Sequence, residues 1–290
     1  MTKFFILIPV YNDWKSLSKL IEEININITN LNSEISIIIV NDSSTDNQPL
    51  NLKKIENIHS IQIINMKENR GHARCIASGL KHIYIKKEFD YVIPMDGDGE
   101  DRPEEIKEFI KNTKVYPNKT FVGNRIKRSE SAVFKICYFF HKIITYSFTG
   151  KLITFGNFTC LSKSTVEKMI KDKATWSSFS GSLSKVEKQL KGLPSSRGKR
   201  YFGPSKMSFY NLVKHSFSIL AVFKSTVIIR SILFYAVYLM LISKHIGYIT
   251  SIPLVLIIIF AISILNISKR ENLEELNNSL ENIKNIELIK

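Results

Sequence analysis

Two aspartates separated by one glycine, Asp96 and Asp98, are the residues whose types and spacing point most directly to chemistry. They lie in the acidic stretch YVIPMDGDGEDRPEEI (91–106), directly after a short apolar run. Two carboxylates at this spacing can face one divalent cation, and hard cations such as Mg²⁺ and Mn²⁺ prefer oxygen ligands and often share them with substrate phosphates. The alternative is a solvated turn, since Asp and Gly are ordinary turn residues.

The elements that must position these carboxylates are apolar strands alternating with helical segments over residues 1 to about 125. Such alternation predicts an α/β fold, with a mostly parallel sheet covered on both faces. Right-handed crossovers then bring the strand ends to one edge, where open α/β sheets bind their ligands. Polar tips follow the first, second and fourth strands, with the sequences PVYND (9–13), NDSSTDN (41–47) and MDGDGED (95–101). The sequence therefore predicts one site built from three tips.

Two long apolar runs lie near the other end of the chain, at 226–243 and 246–267, joined by the dipeptide KH. Each is long enough for a helix that crosses the hydrocarbon core, so a transmembrane hairpin is predicted. A buried helical pair in a soluble core is the alternative. Arg230 lies near one end of its run, where its side chain is expected to reach the lipid headgroups. The short link puts both flanks on one side, and their many Lys and Arg residues indicate the cytoplasmic side, with both termini there.

The segments that flank the hairpin have weaker patterns. Apolar and basic residues at near-helical spacing predict an interfacial amphipathic helix over 207–225. The tail, 268–290, has Leu and Ile at three-to-four spacing from Leu273 to Ile286, which predicts a short amphipathic helix, with self-association into a homo-oligomer as one role for it.

The composition narrows the class of partner. The chain has 41 Lys and Arg against 26 Asp and Glu, a formal net charge of +15, which suits nucleic acid, an anionic membrane face or a phosphorylated substrate. The acidic tips would repel phosphate without a metal, which argues against a non-catalytic basic module that binds lipid or RNA. No nucleic acid partner is therefore expected. The three cysteines are far apart and show no metal spacing, which indicates reduced thiols in the cytosol.

The three tips together resemble glycosyltransferase family 2, the inverting enzymes with a GT-A fold. The matching segments are IPVYND, IIIVNDSSTDN, NRGHARCIASGL and VIPMDGDGEDRPEEI. A narrower resemblance is to the polyprenyl-phosphate glycosyltransferases, which include dolichyl-phosphate mannose synthases and bacterial enzymes that load a sugar onto undecaprenyl phosphate. It is carried by the hairpin and by the segments MDGDGEDRPEEI, FVGNRIKR and FGNFTCLSKSTVEKM. The resemblance covers about residues 3 to 267. It implies a catalytic domain over 1–206, with a nucleotide-sugar half (about 1–125) and an acceptor half (about 126–206).

The resemblance also implies roles for individual residues. The base of the donor would pack on Tyr11, Asp42 would accept from base or ribose, and Asp101 would face the sugar or the acceptor. The implied donor-binding residues are Pro9, Tyr11, Asp13, Asp42, Arg70 and Asp96, and the implied metal ligands are Asp96 and Asp98. The implied acceptor-phosphate residues are Arg125, Lys127, Arg128, Arg200 and Lys206, and the implied catalytic residues are Asp101, Arg125 and Arg128.

The activity that the resemblance implies is inverting transfer of a sugar from a UDP- or GDP-sugar to a polyprenyl phosphate, with Mg²⁺ or Mn²⁺, at the cytoplasmic face of the cell membrane. The phosphate nucleophile is already anionic, so positioning matters more than a general base. The alternative is a membrane-anchored enzyme of the same family that acts on a saccharide hydroxyl in surface glycan synthesis. That reaction needs a base, for which Asp101 is the candidate. The basic run SSRGKRYFGPSKM (195–207) is either a plain membrane flank or a lid over donor and lipid phosphate.

Overall fold

The computed structural model describes residues 1–46, 50, 52, 55–127, 132–204 and 209–290. Its strands are β1 (Thr2–Val10), β2 (Ser33–Asn41), β3 (Ser60–Met66), β4 (Tyr91–Pro94), β5 (Phe121–Lys127), β6 (Phe155–Ser162), β7 (Lys191–Ser196) and β8 (Ile283–Leu288). Its helices are α1 (Trp14–Asn27), α2 (His72–Lys86), α3 (Ile106–Val115), α4 (Ala132–Thr149), α5 (Lys163–Lys171), α6 (Phe179–Val186), α7 (Phe209–Ala221), α8 (Lys224–Ile242), α9 (Tyr248–Ser268) and α10 (Leu273–Asn277).

These strands form one eight-stranded sheet in the order β7-β5-β6-β4-β1-β2-β3-β8. Strand β1 is central and pairs in parallel with both β2 and β4, as the apolar runs predict. Strands β6 and β8 are the antiparallel members. The prediction of a mostly parallel α/β sheet is confirmed.

Both faces of the sheet are covered because successive residues of β1 point to opposite sides. Ile6 and Ile8 pack into one buried cluster with residues of α1 and α3. Phe5 and Leu7 pack into a second cluster with residues of α2 and α5. The two layers hold the carboxyl ends of β1, β2 and β4 at one edge, where the polar tips lie.

The second part of the molecule is a cluster of four helices, α4, α7, α8 and α9. A small buried core formed by Leu220, Ala221, Val227 and Ile264 joins α7 to the two long helices. Phe148 of α4 packs against rings of both α8 and α9, with ring centroids 5.2 Å from Phe234 and 4.8 Å from Phe260. Helices α8 and α9 are long and apolar enough to cross a membrane, by length and composition only. Helix α4 was not predicted from the sequence.

The side chain of Arg230 has protein partners that the sequence did not predict. It reaches from α8 to the carboxyl end of α4, where its Nη1 donates to the carbonyl oxygens of Ser147 at 2.8 Å and Tyr146 at 3.3 Å. The last carbonyls of a helix have no partners within the helix, and a cation at that end also favours the helix dipole. Arg230 therefore joins α4 to the first helix of the hairpin.

The tail also differs from its prediction as a helix over 268–290. Only Leu273–Asn277 is α-helical, and β8 joins the sheet antiparallel to β3 in the register Ile64↔Ile286. The Leu and Ile spacing fits a helix as far as Ile286, but the sequence IKNIEL of β8 also suits an edge strand, and β3 offers an open row of backbone groups. The sheet edge therefore overrides the helical spacing.

Candidate active site

The acidic loop, residues 96–101, begins where β4 ends and is tied together by its own side chains. The amide of Asp96 donates to Oδ2 of Asp101 at 2.9 Å, and the amide of Glu100 donates to Oδ1 of Asp98 at 3.0 Å. Asp101 is 5% exposed, so it lies under the loop. These contacts bring Asp96, Asp98 and Asp101 together, as the sequence predicts.

Asp96 receives two further donors from distant parts of the chain. Nε2 of His72 lies 2.9 Å from Oδ1 of Asp96, and Nδ2 of Asn157 donates to the same oxygen at 3.2 Å. His72 begins α2, and Asn157 lies in β6. From the sequence alone, neither residue could be assigned to the site.

The pKa values of the acidic loop reflect closely spaced, buried carboxylates. Burial raises the pKa of Asp98 to about 6 and that of Asp101 to about 7, and repulsion by Asp96 adds to both shifts. Burial also acts on Asp96, but His72, Arg125 and Asn157 outweigh it and lower the pKa of Asp96 well below its usual range. Burial opposes the ionised form of His72, yet the nearby aspartates raise its pKa. At Asp98 and Asp101, burial and carboxylate repulsion therefore outweigh the nearby charges of Arg200 and Arg125.

The tips of β1 and β2 form the neighbouring wall of the site. Tyr11 follows β1 and is 42% exposed, so its ring is free to contact a ligand, whereas Pro9 is buried inside the strand. Asn12 has a φ of 51° and its Oδ1 accepts from the amides of Thr45 and Asp46, which locks the two tips together.

Asp42 and Arg70 are engaged with the protein itself. Asp42 is 4% exposed, and its two oxygens accept from the amides of Arg70 at 2.8 Å and Gly71 at 2.9 Å. The guanidinium of Arg70 pairs with Glu68, with Nε 2.8 Å from Oε1. Arg70 also lines a polar cavity of about 530 Å³ that extends to Glu275 of the tail. In this structure Asp42 fixes the turn before α2.

A strap formed by residues 197–204 lies across the acidic loop. The amides of Gly198 and Tyr201 donate to the carbonyl oxygens of Glu100 at 2.8 Å and Asp98 at 2.9 Å. The Tyr201 ring occupies the space that a side chain on Gly99 would need, and the positive φ of Gly99 also favours glycine there. The strap belongs to the basic run 195–207, for which a lid was one of the two alternatives, but the sequence does not show which loop a segment about 100 residues further along will cover.

Arg200 of the strap forms ion pairs with two of the expected donor-site carboxylates. Its Nη1 lies 2.8 Å from Oδ2 of Asp98, and its Nη2 contacts Oδ2 of Asp13. Arg197 pairs with Glu100 in the same region. A cation supplied by the chain itself therefore stands between Asp13 and Asp98.

Arg125 approaches the acidic loop from β5. Its guanidinium lies against the backbone of Gly156, where an added Cβ would come within 2.7 Å of Nη2. Its charge helps to lower the pKa of Asp96 and limits the rise in the pKa of Asp101. Lys127 ends β5, while Arg128 and Lys206 lie outside the described residues.

The oxygen atoms of this site suit a hard divalent cation whose coordination is completed by a bound ligand. Within the described residues, no group of three His, Cys, Asp or Glu side chains forms a ready metal cage. Mg²⁺ is commonly held by only one or two carboxylates together with substrate phosphates. Asp96 and Asp98 provide these oxygens, and the Arg200 guanidinium already marks a position for positive charge beside Asp98. The residues present therefore fit Mg²⁺ or Mn²⁺.

A mostly parallel α/β sheet with an acidic loop at its ligand-binding edge is the arrangement expected for a nucleotide-sugar transferase of the GT-A class. The family model for glycosyl transferase family 2 matches residues 5–165, which is more than half of the 290-residue chain. The chain belongs to this family and is a glycosyltransferase.

Solved structures with the same fold support that class. Glucosyl-3-phosphoglycerate synthase from Mycobacterium tuberculosis, in complex with Mn²⁺, UDP and glucosyl-3-phosphoglycerate, has a TM-score of 0.54 and 11% identity over 78% of this chain and 80% of that one. Mannosyl-3-phosphoglycerate synthase from Rubrobacter xylanophilus has a TM-score of 0.52 and 12% identity over 76% of this chain and 72% of that one. At such identities the likeness concerns the fold alone.

Proposed function

We propose that this protein transfers a sugar from a nucleotide diphosphate sugar to a polyprenyl phosphate at a membrane surface, with inversion at the anomeric carbon. The observation that carries the acceptor part of this proposal is the position of α4. Along the chain, this apolar helix follows β5, which bears Arg125, and precedes β6, which bears Asn157, and it packs against the two long apolar helices. The chain therefore passes directly from the strand of Arg125 to an apolar helical cluster and back to the strand of Asn157.

The exposed apolar surface supports a membrane location for that cluster. Helix α4 exposes Phe139, Phe140, Ile143, Ile144 and Tyr146, and much of α8 and α9 is exposed in the same way. Contiguous exposed apolar patches of this extent mark membrane or protein contacts. We therefore propose that 226–267 is a transmembrane hairpin, that 207–225 and α4 lie in the interface, and that residues 1–206 form the catalytic domain.

The flanking charges support a cytoplasmic catalytic domain. Lys214 and Lys224 precede the hairpin, and Lys269 and Arg270 follow it. The bias of Lys and Arg toward cytoplasmic loops predicts that both ends of the hairpin lie on that side. Because β8 pairs with β3 after the hairpin, the tail must be on the same side as the catalytic domain.

The proposed donor is a UDP- or GDP-sugar, held with Mg²⁺ or Mn²⁺ at Asp96 and Asp98. A structure of the mycobacterial synthase contains Mg²⁺ and UDP, which is compatible with such a donor on this fold. When bound, the cation supplies positive charge to the diphosphate leaving group. Tyr11 offers an exposed ring for the base, and Asp13 lies beside it at the start of α1.

The transfer itself is a single displacement. An oxygen of the lipid phosphate forms a bond to the anomeric carbon while the bond from that carbon to the diphosphate oxygen breaks, and its electron pair leaves with the nucleoside diphosphate. Arg125 is proposed to hold the lipid phosphate, with Lys127 and Arg128 nearby in the chain. The phosphate is already anionic and needs no base. A saccharide hydroxyl acceptor would need one, yet Oδ2 of buried Asp101 already accepts the amide of Asp96.

The test is a transfer assay with the full chain in detergent or vesicles. Radiolabelled UDP- and GDP-sugars are supplied with undecaprenyl phosphate and Mn²⁺, and label in the lipid phase is counted. We expect Asp98→Asn to abolish transfer and Arg125→Gln to lower it about 100-fold, while Lys107→Gln, an exposed change of equal charge on α3, leaves it unchanged.

Two outcomes would count against the proposal. Label that appears only on a free saccharide acceptor would identify the alternative enzyme with a hydroxyl acceptor. Label in the lipid phase that survives Arg125→Gln would show that another group holds the phosphate.

A further inference from the structure

His72 has a contact that the roles assigned so far do not use. A carboxylate oxygen only accepts hydrogen bonds, so Nε2 of His72 donates to Oδ1 of Asp96 across their 2.9 Å separation. Asn157 donates to the same oxygen at 3.2 Å. Among the described residues, Oδ2 of Asp96 accepts no hydrogen bond. Both donors therefore hold one oxygen of the carboxylate and leave the other available.

The position of His72 is fixed from the end of β2. Both oxygens of Asp42 accept amides of the turn before α2, from Arg70 at 2.8 Å and Gly71 at 2.9 Å. Gly71 has a φ of 93° and no atom within 4 Å of an added Cβ, so the backbone conformation alone favours glycine there. His72 is the next residue and the first of α2. Asp42 therefore sets the turn that aims His72 at Asp96.

We propose that His72 is a positioning residue of the donor site. It holds Oδ1 of Asp96, so that Oδ2 is left for the cation and the donor diphosphate, and Asp42 acts through His72. This inference rests on the proposed function, because that function makes Asp96 a ligand. An aspartate without such partners rotates about two side-chain bonds, and groups that orient a metal ligand typically change metal affinity about 10- to 100-fold. Asn157 supplies a second, longer hydrogen bond from β6 to the same oxygen.

Two amide replacements separate hydrogen bonding from bulk. In His72→Gln the side-chain nitrogen can reach the place of Nε2 and can still donate. In His72→Asn the nitrogen corresponds to Nδ1 and falls short of Asp96. We expect His72→Asn and His72→Ala to weaken binding of Mn²⁺ in the presence of UDP or GDP about 10- to 100-fold, and His72→Gln to stay within about threefold of the wild type.

The measurement is the loss of the free Mn²⁺ electron paramagnetic resonance signal as protein is added, with UDP and GDP in separate titrations. His59→Ala is the matched control, because His59 precedes β3, its side chain is 62% exposed, and it pairs only weakly with Glu34 at 3.8 Å. This variant should bind Mn²⁺ as the wild type does. If His72→Ala does not fold, the comparison of Gln with Asn still decides.

Different failures have different meanings. No binding of Mn²⁺ by the wild type with either nucleotide would overturn the proposed donor site itself. Binding that is lost in Asp98→Asn but unchanged in His72→Asn would leave that site standing and overturn the positioning role. Equal losses in His72→Gln and His72→Asn would also overturn it, because the hydrogen bond would then not be the cause.

Discussion

Arg200 is expected to compete with the divalent cation for Asp98. Its guanidinium is 2.8 Å from Oδ2 of Asp98 and also pairs with Asp13, and all three side chains are 15–19% exposed. A hydrogen bond between charged groups contributes roughly 1.5–3 kcal/mol, and the lower figure suits this partly hydrated site. About 1.5 kcal/mol corresponds to roughly tenfold in a dissociation constant. Only molecules in which Arg200 is displaced can bind the cation at Asp98. Removal of the Arg200 guanidinium should therefore tighten cation binding by that factor.

The assay is titration of the full chain with Mn²⁺ alone, followed by the free-ion paramagnetic resonance signal. Arg200→Gln should lower the dissociation constant about tenfold. Lys199 is the residue before Arg200, and its side chain is exposed. Lys199→Gln removes the same charge, and salt screening should keep its effect on the dissociation constant within about twofold. Equal shifts in the two variants would mean that net charge, and no specific competition, controls metal binding. An unchanged constant in Arg200→Gln would refute the reasoning altogether.

Two further predictions concern stability, measured by urea unfolding in detergent. Burial lowers the pKa of His82 from 6.5 to about 4, so between these pH values only the unfolded chain takes up the proton. The free energy of unfolding should therefore fall by about 2 kcal/mol from pH 7 to pH 5. His82→Leu should remove that part of the pH dependence. Gly99→Ala should cost about 1–2 kcal/mol more than Gly203→Ala, because both glycines have positive φ but only Gly99 faces the Tyr201 ring. Equal costs would show that the strap moves aside freely.

Much of the fold and part of the site follow from local sequence. The strands are recognisable in the sequence as apolar runs. Parallel strands must bring their carboxyl ends to one edge, so the meeting of Tyr11, Asp42 and Asp96 at that edge could be foreseen. Arg200 was an expected site residue in a candidate lid, but the particular pairs that join distant residues to the acidic loop could not be foreseen. Arg200 reaches Asp98 from 102 residues away and Asn157 reaches Asp96 from 61 residues away, and no spacing rule links such pairs.

Two elements were missed for a different physical reason. Helix α4 packs Phe148 on other apolar helices and also exposes apolar residues such as Phe139 and Ile143, so it lacks a clear polar face. Strand β8 has residues that also fit a helical spacing, and only the open edge of β3 decides between the two structures. In both cases the deciding partner lies in another part of the chain.

The position of β8 has a consequence for biosynthesis. The chain leaves the sheet for the two long apolar helices and then returns to pair with β3, where Lys67 also donates to the carbonyl oxygen of Glu281 at 2.7 Å. The β3 edge therefore stays open until both helices have been synthesised, and an open edge invites aggregation. With the proposed transmembrane hairpin, a chain in which only one of the two helices crossed would leave β8 on the opposite side of the bilayer from β3. Under that proposal, correct insertion and completion of the sheet are a single folding event.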